Sequence, residues 1–289
     1  MKFLREIFRE IRRIEKDRVH GAVELGLRAT ALVRRLTEEG GFPSALDLDT
    51  DLMITTRELI EAQPAMATMV NLEIDTTLAA WKASGLSRKR RAVISACRKF
   101  EQKLRRNSQL ASRRAAGLIG TGCTVLTHSF SNTVLDALLL ARRRRKRFRV
   151  ICTESRPKRE GRKLACALEA AGIPARVIGD AAAVRSLPEA DLVLVGADAV
   201  SVDGLVNKFG TASLVVCARH LGKAAYAVCG TEKFVPDWRD MPPPPRDFDR
   251  TPLNLFTAII TEVGLLDLDA VSRCLRGGRE QSGPREDSP

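Results

Sequence analysis

The residues best equipped for chemistry lie between positions 191 and 213, in the run DLVLVGADAVSVDGLVNKFGTAS. Leu192, Val193, Leu194 and Val195 form a short apolar run of the kind buried on both faces of a parallel sheet. It delivers Gly196, Ala197 and Asp198 to a strand end, where open α/β sheets place their ligands. A loop holding Gly204 leads on to Asn207 and Lys208, and Gly210-Thr211 opens an apolar-periodic helix. A carboxylate, a carboxamide, an ammonium and a helix N-terminus can therefore meet in one crevice. That set suits a phosphorylated polyol. Lys208 and the helix amides would take phosphate, and Asp198 would serve sugar hydroxyls or proton transfer. A solvated turn between strand and helix is the plainer reading of the same residues.

Three more joints share this character. Thr127-His128-Ser129-Phe130-Ser131-Asn132-Thr133 falls where a strand hands over to a helix, and its hydroxyls and free amides make an anion site. In residues 153–162, Arg156 offers a planar fork for phosphate and Gly161 lets backbone approach closely. Gly230-Thr231-Glu232-Lys233-Phe234 follows the last regular strand and adds Lys233 as a phosphate ligand. Each joint is weak alone; four in chain order, all at the C-terminal ends of strands, form a pattern.

The elements that must hold these joints divide the chain. Residues 1–115 read as a helical domain, with no segment that alternates like a strand. Phe3, Leu4, Ile7, Phe8, Ile11 and Ile14 recur at helical spacing, and Val19, Ala22, Leu25, Leu32 and Leu36 continue the stripe to about residue 39. Gly21 interrupts it, which predicts a break or a close approach of backbone there, with His20 either within reach of a ligand or serving the structure. Further helices are expected over 49–63, with Thr50 or Asp51 near the cap and Pro64 as the stop, over 66–81, and over 89–117. Residues 116–276 then alternate short strand-like runs (124–127, 148–153, 175–178, 191–195, 224–228) with helices (132–143, 161–171, 181–185, 211–221). That alternation is the mark of a Rossmann-like, doubly wound parallel sheet, so the fold class is α/β. Residues 247–275 read as a Pro-containing loop and a last helix or two, and 277–289 as a disordered tail.

Composition narrows the function. At 44% hydrophobic, the chain supports a substantial core, and no apolar run is long enough to span a bilayer. The first residues, MKFLREIFREIRRIEKD, contain no apolar signal core, so a cytoplasmic protein is expected. The seven cysteines are scattered without a CxxC pair and the three histidines lie far apart, which argues against disulfides and metal. Neither GxGxxG nor a Walker loop is present, and no cofactor is expected. A net charge of +13 invites nucleic acid, but only 4% of residues are aromatic, and Arg142 to Arg147 fall where cations favour a helix C-terminus. A solvated or partner-facing basic surface is the reading preferred over a dedicated nucleic-acid site.

In this order, LTHSFSNTV, TESRPKREGRKLA, GADAVSVDGLVNKFGT and GTEKFVP resemble the superfamily of the translation initiation factor 2B alpha subunit. That superfamily includes archaeal ribose-1,5-bisphosphate isomerase and methylthioribose-1-phosphate isomerase. DRTPLNLFTAIITEVGLL is similar to its C-terminal segment, and EKDRVHGAVELGLRA and EAQPAMATMVNL to its helical half, so the resemblance covers residues 14–275. It implies a helical domain followed by a Rossmann-like one, a homodimer or higher assembly, and a sugar-phosphate pocket between the halves. By matching position, Ser131, Arg156, Gly161, Asn207, Lys208 and Lys233 would line that pocket, with Asp198 as the isomerases' catalytic aspartate. Where the isomerases carry a cysteine after Thr-His, this chain has Ser129; where they carry arginines before Gly-Ala and before Pro, it has His20 and Gln63. A thiol titrates near working pH and a serine hydroxyl does not. Three readings follow: a sugar-phosphate or nucleotide binding protein with lost or weakened isomerisation; an active aldose–ketose isomerase using Asp198; and a regulatory subunit whose basic face docks an acidic protein or RNA.

Overall fold

The computed structural model describes residues 2–17, 20–237, 239 and 241–280. Five helices come first: α1 (Lys2–Glu15), α2 (Ala22–Glu39), α3 (Ala45–Ala62), α4 (Ala67–Trp81) and α5 (Leu86–Leu118). The expected break at Gly21 is real, for Gly21 is the extended residue that precedes α2. Val19, assigned to the apolar stripe, lies outside the described residues. The third helix starts four residues earlier than its apolar pattern indicated. Ser44, not Thr50 or Asp51, is its cap and accepts from the backbone N–H of Asp47.

Ile7, Ile11, Leu25, Leu36, Leu48, Leu59, Met69 and Phe100 interlock as the core of this helical half. The 33 residues of α5 make one helix about 50 Å long. Its first half buries Val93, Cys97, Phe100 and Leu104 in the helical core, and its second half lays Ala111, Ala115 and Ala116 on the sheet that follows. One rigid element thus belongs to both halves and fixes their separation.

That sheet is built from β1 (Thr124–Thr127), β2 (Arg149–Thr153), β3 (Ala175–Ile178), β4 (Leu192–Gly196), β7 (Ala224–Val228), β9 (Ala258–Ile260) and β10 (Leu265–Leu266). Its strand order is β10-β9-β7-β4-β1-β2-β3, parallel except for β10 at one edge. Helices α6 (Asn132–Arg143) and α7 (Glu160–Ala170) cover one face together with the end of α5, while α8 (Ala183–Ser186), α9 (Thr211–His220) and α10 (Leu268–Glu280) cover the other. Alternate residues of single strands, Val125 and Leu126 or Val150 and Ile151, enter opposite cores, as a sheet buried on both sides requires. The chain winds outward from β1 to β3, returns to β4 beside β1, and winds the other way. The switch point therefore lies between β1 and β4.

Three expectations need correction. The segment read as a loop around Gly204 is an antiparallel hairpin, β5 (Ala199–Ser201) and β6 (Gly204–Lys208). The C-terminal segment read as loop and helix supplies three strands: β9, β10, and β8 (Phe248–Thr251), which joins the hairpin in a second, three-stranded sheet. Strands this short carry too few residues for alternation to stand out. Residues 277–280, expected to open a disordered tail, belong to α10, which runs to Glu280; residues 281–289 lie outside the described ones.

Candidate functional site

At the switch point a cleft of about 380 Å³ opens between the helical half and the C-terminal ends of the strands. From the sheet side it is lined by Ser129, Ser131 and Asn132 after β1, Asp198 after β4, Asn207 and Lys208 on β6, and Lys233 from the 3₁₀ turn Thr231–Lys233. From the helical side come His20, Gly21 and Gln63. Nine residues singled out from the sequence as site candidates, spread over more than 200 positions, thus face one space.

Local hydrogen bonds explain how each is held. Ser131 caps α6, its Oγ accepting from the Val134 N–H. Ser129 takes the left-handed backbone conformation (φ 67°), and its N–H donates to Ser155 Oγ at 2.7 Å. Behind it a buried chain has a fixed direction. His128 Nε2 lies 2.8 Å from the carbonyl oxygen of Phe209, which can only accept, so Nε2 carries the proton. Nδ1 then accepts from Thr153 Oγ1 at 2.6 Å, and Thr153 accepts from Ser155 Oγ at 3.0 Å. Burial lowers the His128 pKa, in keeping with this neutral ring. On the other flank, the Asp198 N–H donates to the Val206 carbonyl and its own carbonyl accepts from Ala67, tying the start of α4 to the end of β4.

The two lysines are almost wholly buried, at 2% exposure for Lys208 and 3% for Lys233. Lys208 Nζ sits 3.1 Å from Glu160 Oε1 and 3.5 Å from Asp247 Oδ2; Lys233 Nζ donates to the Ala197 carbonyl at 2.6 Å. Burial pushes the Asp198 carboxyl up to about 6, against the pull of Lys233 and Lys208 and with the help of Glu160. Burial would raise Asp247 too, but the hydrogen bond and charge of Lys158 and the charge of Lys208 hold it below its ordinary value. Glu160 Oε2 is buried without a hydrogen-bond partner among the described residues, so the Lys208 ammonium satisfies only one of its oxygens. Among the described residues, six carboxylates and five cations line the cleft.

Three expectations fail here. Arg156 does not line the cleft. Its joint follows β2, one strand out from the switch point, and its Nε donates at 2.7 Å to Glu154, a buried carboxylate that Arg162 also engages. Gly161 does not line the cleft either. A Cβ there would stand 1.7 Å from the Thr153 carbonyl oxygen, so its absence lets α7 pack on the end of β2. The N-terminus of α9, expected to take phosphate, is already occupied: Asp249 Oδ2 on β8 accepts from the N–H groups of Gly210 and Ala212. His20 is held by Asp17, with Nδ1 2.7 Å from its carboxylate, while Gly21 brings backbone against the Asn132 side chain.

The same arrangement of segments occurs in known proteins. The model of the Initiation factor 2 subunit family matches residues 18–241. The chain belongs to this family. A translation initiation factor eIF-2B subunit 2-like protein of Pyrococcus horikoshii is 33% identical over 276 residues, covering 90% of this chain and 95% of its own. The crystal structure of the P. horikoshii OT3 translation initiation factor eIF-2B superposes with a TM-score of 0.80 at 30% identity, over 90% of this chain and 96% of that one. The ribose 1,5-bisphosphate isomerase of Haloferax volcanii is 29% identical over 232 residues, or 80% of this chain and 72% of its own. Relatives of this Initiation factor 2 subunit family member thus include proteins named for translation and a protein named for sugar-phosphate chemistry.

Lys158, Glu160, Asp247 and Asp249 are the residues that sequence reasoning missed. Lys158 and Glu160 stood inside TESRPKREGRKLA, overshadowed by Arg156; the two aspartates fell in a segment read as loop. No cysteine lines the cleft among the described residues, and burial pushes the thiols of Cys152 and Cys229 up to about 12. Neither can stand in for a thiol at position 129.

Proposed function

We propose that the cleft binds a sugar phosphate or a nucleotide, and that aldose–ketose isomerisation in it is lost or greatly weakened. The observation that carries this reading is the pairing of Lys208 and Lys233, buried at the switch point, with Ser129 in the same cleft and no thiol beside it. Buried ammonium groups draw an anion strongly, because water competes little with it there. Isomerisation needs groups that give and take a proton at adjacent carbons. Asp198 is suited to one such role, and a serine without a dedicated base is not suited to the other. Exposed Phe209, Val216 and Leu221, beside and along α9, support self-association as part of this reading.

Phosphorus NMR of the protein with ribose 1,5-bisphosphate tests it. Broadened but unconverted resonances are expected, and Ser129→Cys is expected to raise conversion. Unchanged line widths would end the binding reading. Steady appearance of the ketose bisphosphate with the unaltered chain would favour the second reading, an active isomerase. Two observations speak for that one: the Asp198 carboxyl lies close to neutrality, and the H. volcanii isomerase is a relative over most of the chain.

A further inference from the structure

A second concavity lies behind the cleft, between α2, α5 and α6, with a volume of about 810 Å³. It brings the arginines of α5 beside the basic run that begins at Arg142. Arg105, Arg106 and Arg113 come from one face of α5, and Arg143 from the last turn of α6. Of its two acidic residues, Glu24 pairs with Arg28, while burial raises the Asp136 carboxyl against the pull of Arg143. Arg105 is paired with Glu101 on its own helix. Arg106 and Arg113, both exposed, form no hydrogen bond, ion pair or ring contact with any described residue. They are two turns apart, about 11 Å along the axis. Gln102, Gln109 and Ser112 stand between and beside them as further polar contacts.

From this geometry we infer that the groove is a binding site, distinct from the cleft, for a small molecule carrying two or more linked phosphates. Guanidinium forks match phosphate oxygens, and the spacing of Arg106 and Arg113 exceeds the reach of one phosphate but suits a chain of them. The volume lies within the range of small-ligand sites. A macromolecular partner fits less well, since a stable interface takes about 20–30 residues a side and this groove is built from fourteen. Nor, among the described residues, does the groove contain an aromatic ring on which a base could stack. Val23 and Asn132 line both cavities, so an occupant here would share a wall with the cleft.

Equilibrium dialysis against inorganic tripolyphosphate at physiological ionic strength tests the inference. Four proteins are compared: the unaltered chain, the groove pair Arg106→Ala/Arg113→Ala, a control pair Arg144→Ala/Arg145→Ala outside the groove, and the cleft variant Lys208→Met. Melting curves establish that each is folded. One tripolyphosphate per chain is expected in the unaltered, control and cleft proteins, with at least tenfold weaker binding in the groove pair. Loss in Lys208→Met alone would place the ligand in the cleft and overturn the proposal without touching the cleft reading. Equal weakening by both arginine pairs would reduce it to diffuse surface charge. Absence of binding would overturn it, as would an oligoglutamate peptide that binds more tightly and is lost in the same groove pair.

Discussion

Two groups of cations stand at the same edge of the main sheet and are built on opposite principles. In the cleft, Lys208 and Lys233 are almost fully buried and share their surroundings with the carboxylates of Asp198, Glu160 and Asp247. On the turn after β2, the side chains of Arg156, Arg159 and Arg162 are each more than half exposed and surround the single buried carboxylate of Glu154. The lysines are cations kept from water, whose attraction for a further anion is little screened. The arginines are cations in water, already using their Nε groups to satisfy a buried acid. Burial, and not the number of positive charges, separates a site that can hold a ligand from a turn that holds itself together.

That contrast can be broken, and the largest effect should come from the lysines. Lys208→Met or Lys233→Met should weaken sugar-phosphate binding about 10- to 100-fold in titration calorimetry, the scale of a lost charged hydrogen bond. A smaller loss than that from Arg156→Ala would reverse the assignment of roles.

Next in size is the response to pH. The Asp198 carboxyl is pushed up to about 6 in the folded chain, so the folded state keeps a proton that the unfolded state has released. The stability that Asp198 contributes is complete below its unfolded value, and is lost as pH rises through 6. Asp198→Asn should therefore stabilise the protein by about 2 kcal/mol at pH 8 and leave it unchanged near pH 4, read by denaturant unfolding. An anion entering the cleft would also favour the protonated carboxyl, so affinity should fall as pH rises from 6 to 8, and this slope should flatten in Asp198→Asn.

Packing under the arginine turn gives a third test. Gly161→Ala would press a methyl group into the Thr153 carbonyl and should cost about 1–3 kcal/mol in thermal or chemical denaturation. Binding at the cleft should survive in the folded fraction. Arg156→Ala should have the smallest effect, under threefold on sugar-phosphate affinity. An exposed arginine paired to a neighbouring acid contributes little beyond that pair.

Much of this was legible in the residues. The helical half, the parallel sheet and the joints after β1, β4 and β7 follow from periodicities of 3.6 and 2 and from polar residues at strand ends, which are local signals. What escaped was non-local. Whether Arg156 reaches the cleft depends on which strand lies at the switch point, and on Glu154 being buried. Whether the α9 amides are free depends on Asp249, nearly forty residues away, pairing through β8. The hairpin of β5 and β6 is only three and five residues long, and shows as sheet only once β8 lies beside it. Gly161 stood correctly as a site of close approach, but nothing local says whether the approaching group is a ligand or the chain itself.

The strand that carries Asn207 and Lys208 is bonded on one side to its hairpin partner and on the other to residues 248–251. During synthesis, therefore, the chain must extend to Phe248, well beyond Lys208, before this lysine gains its second neighbour. A nascent chain halted after β7 would have every parallel strand but β9, and no finished pocket. Occupancy of the cleft would then report that residues 248–251 had been made and had paired with β6.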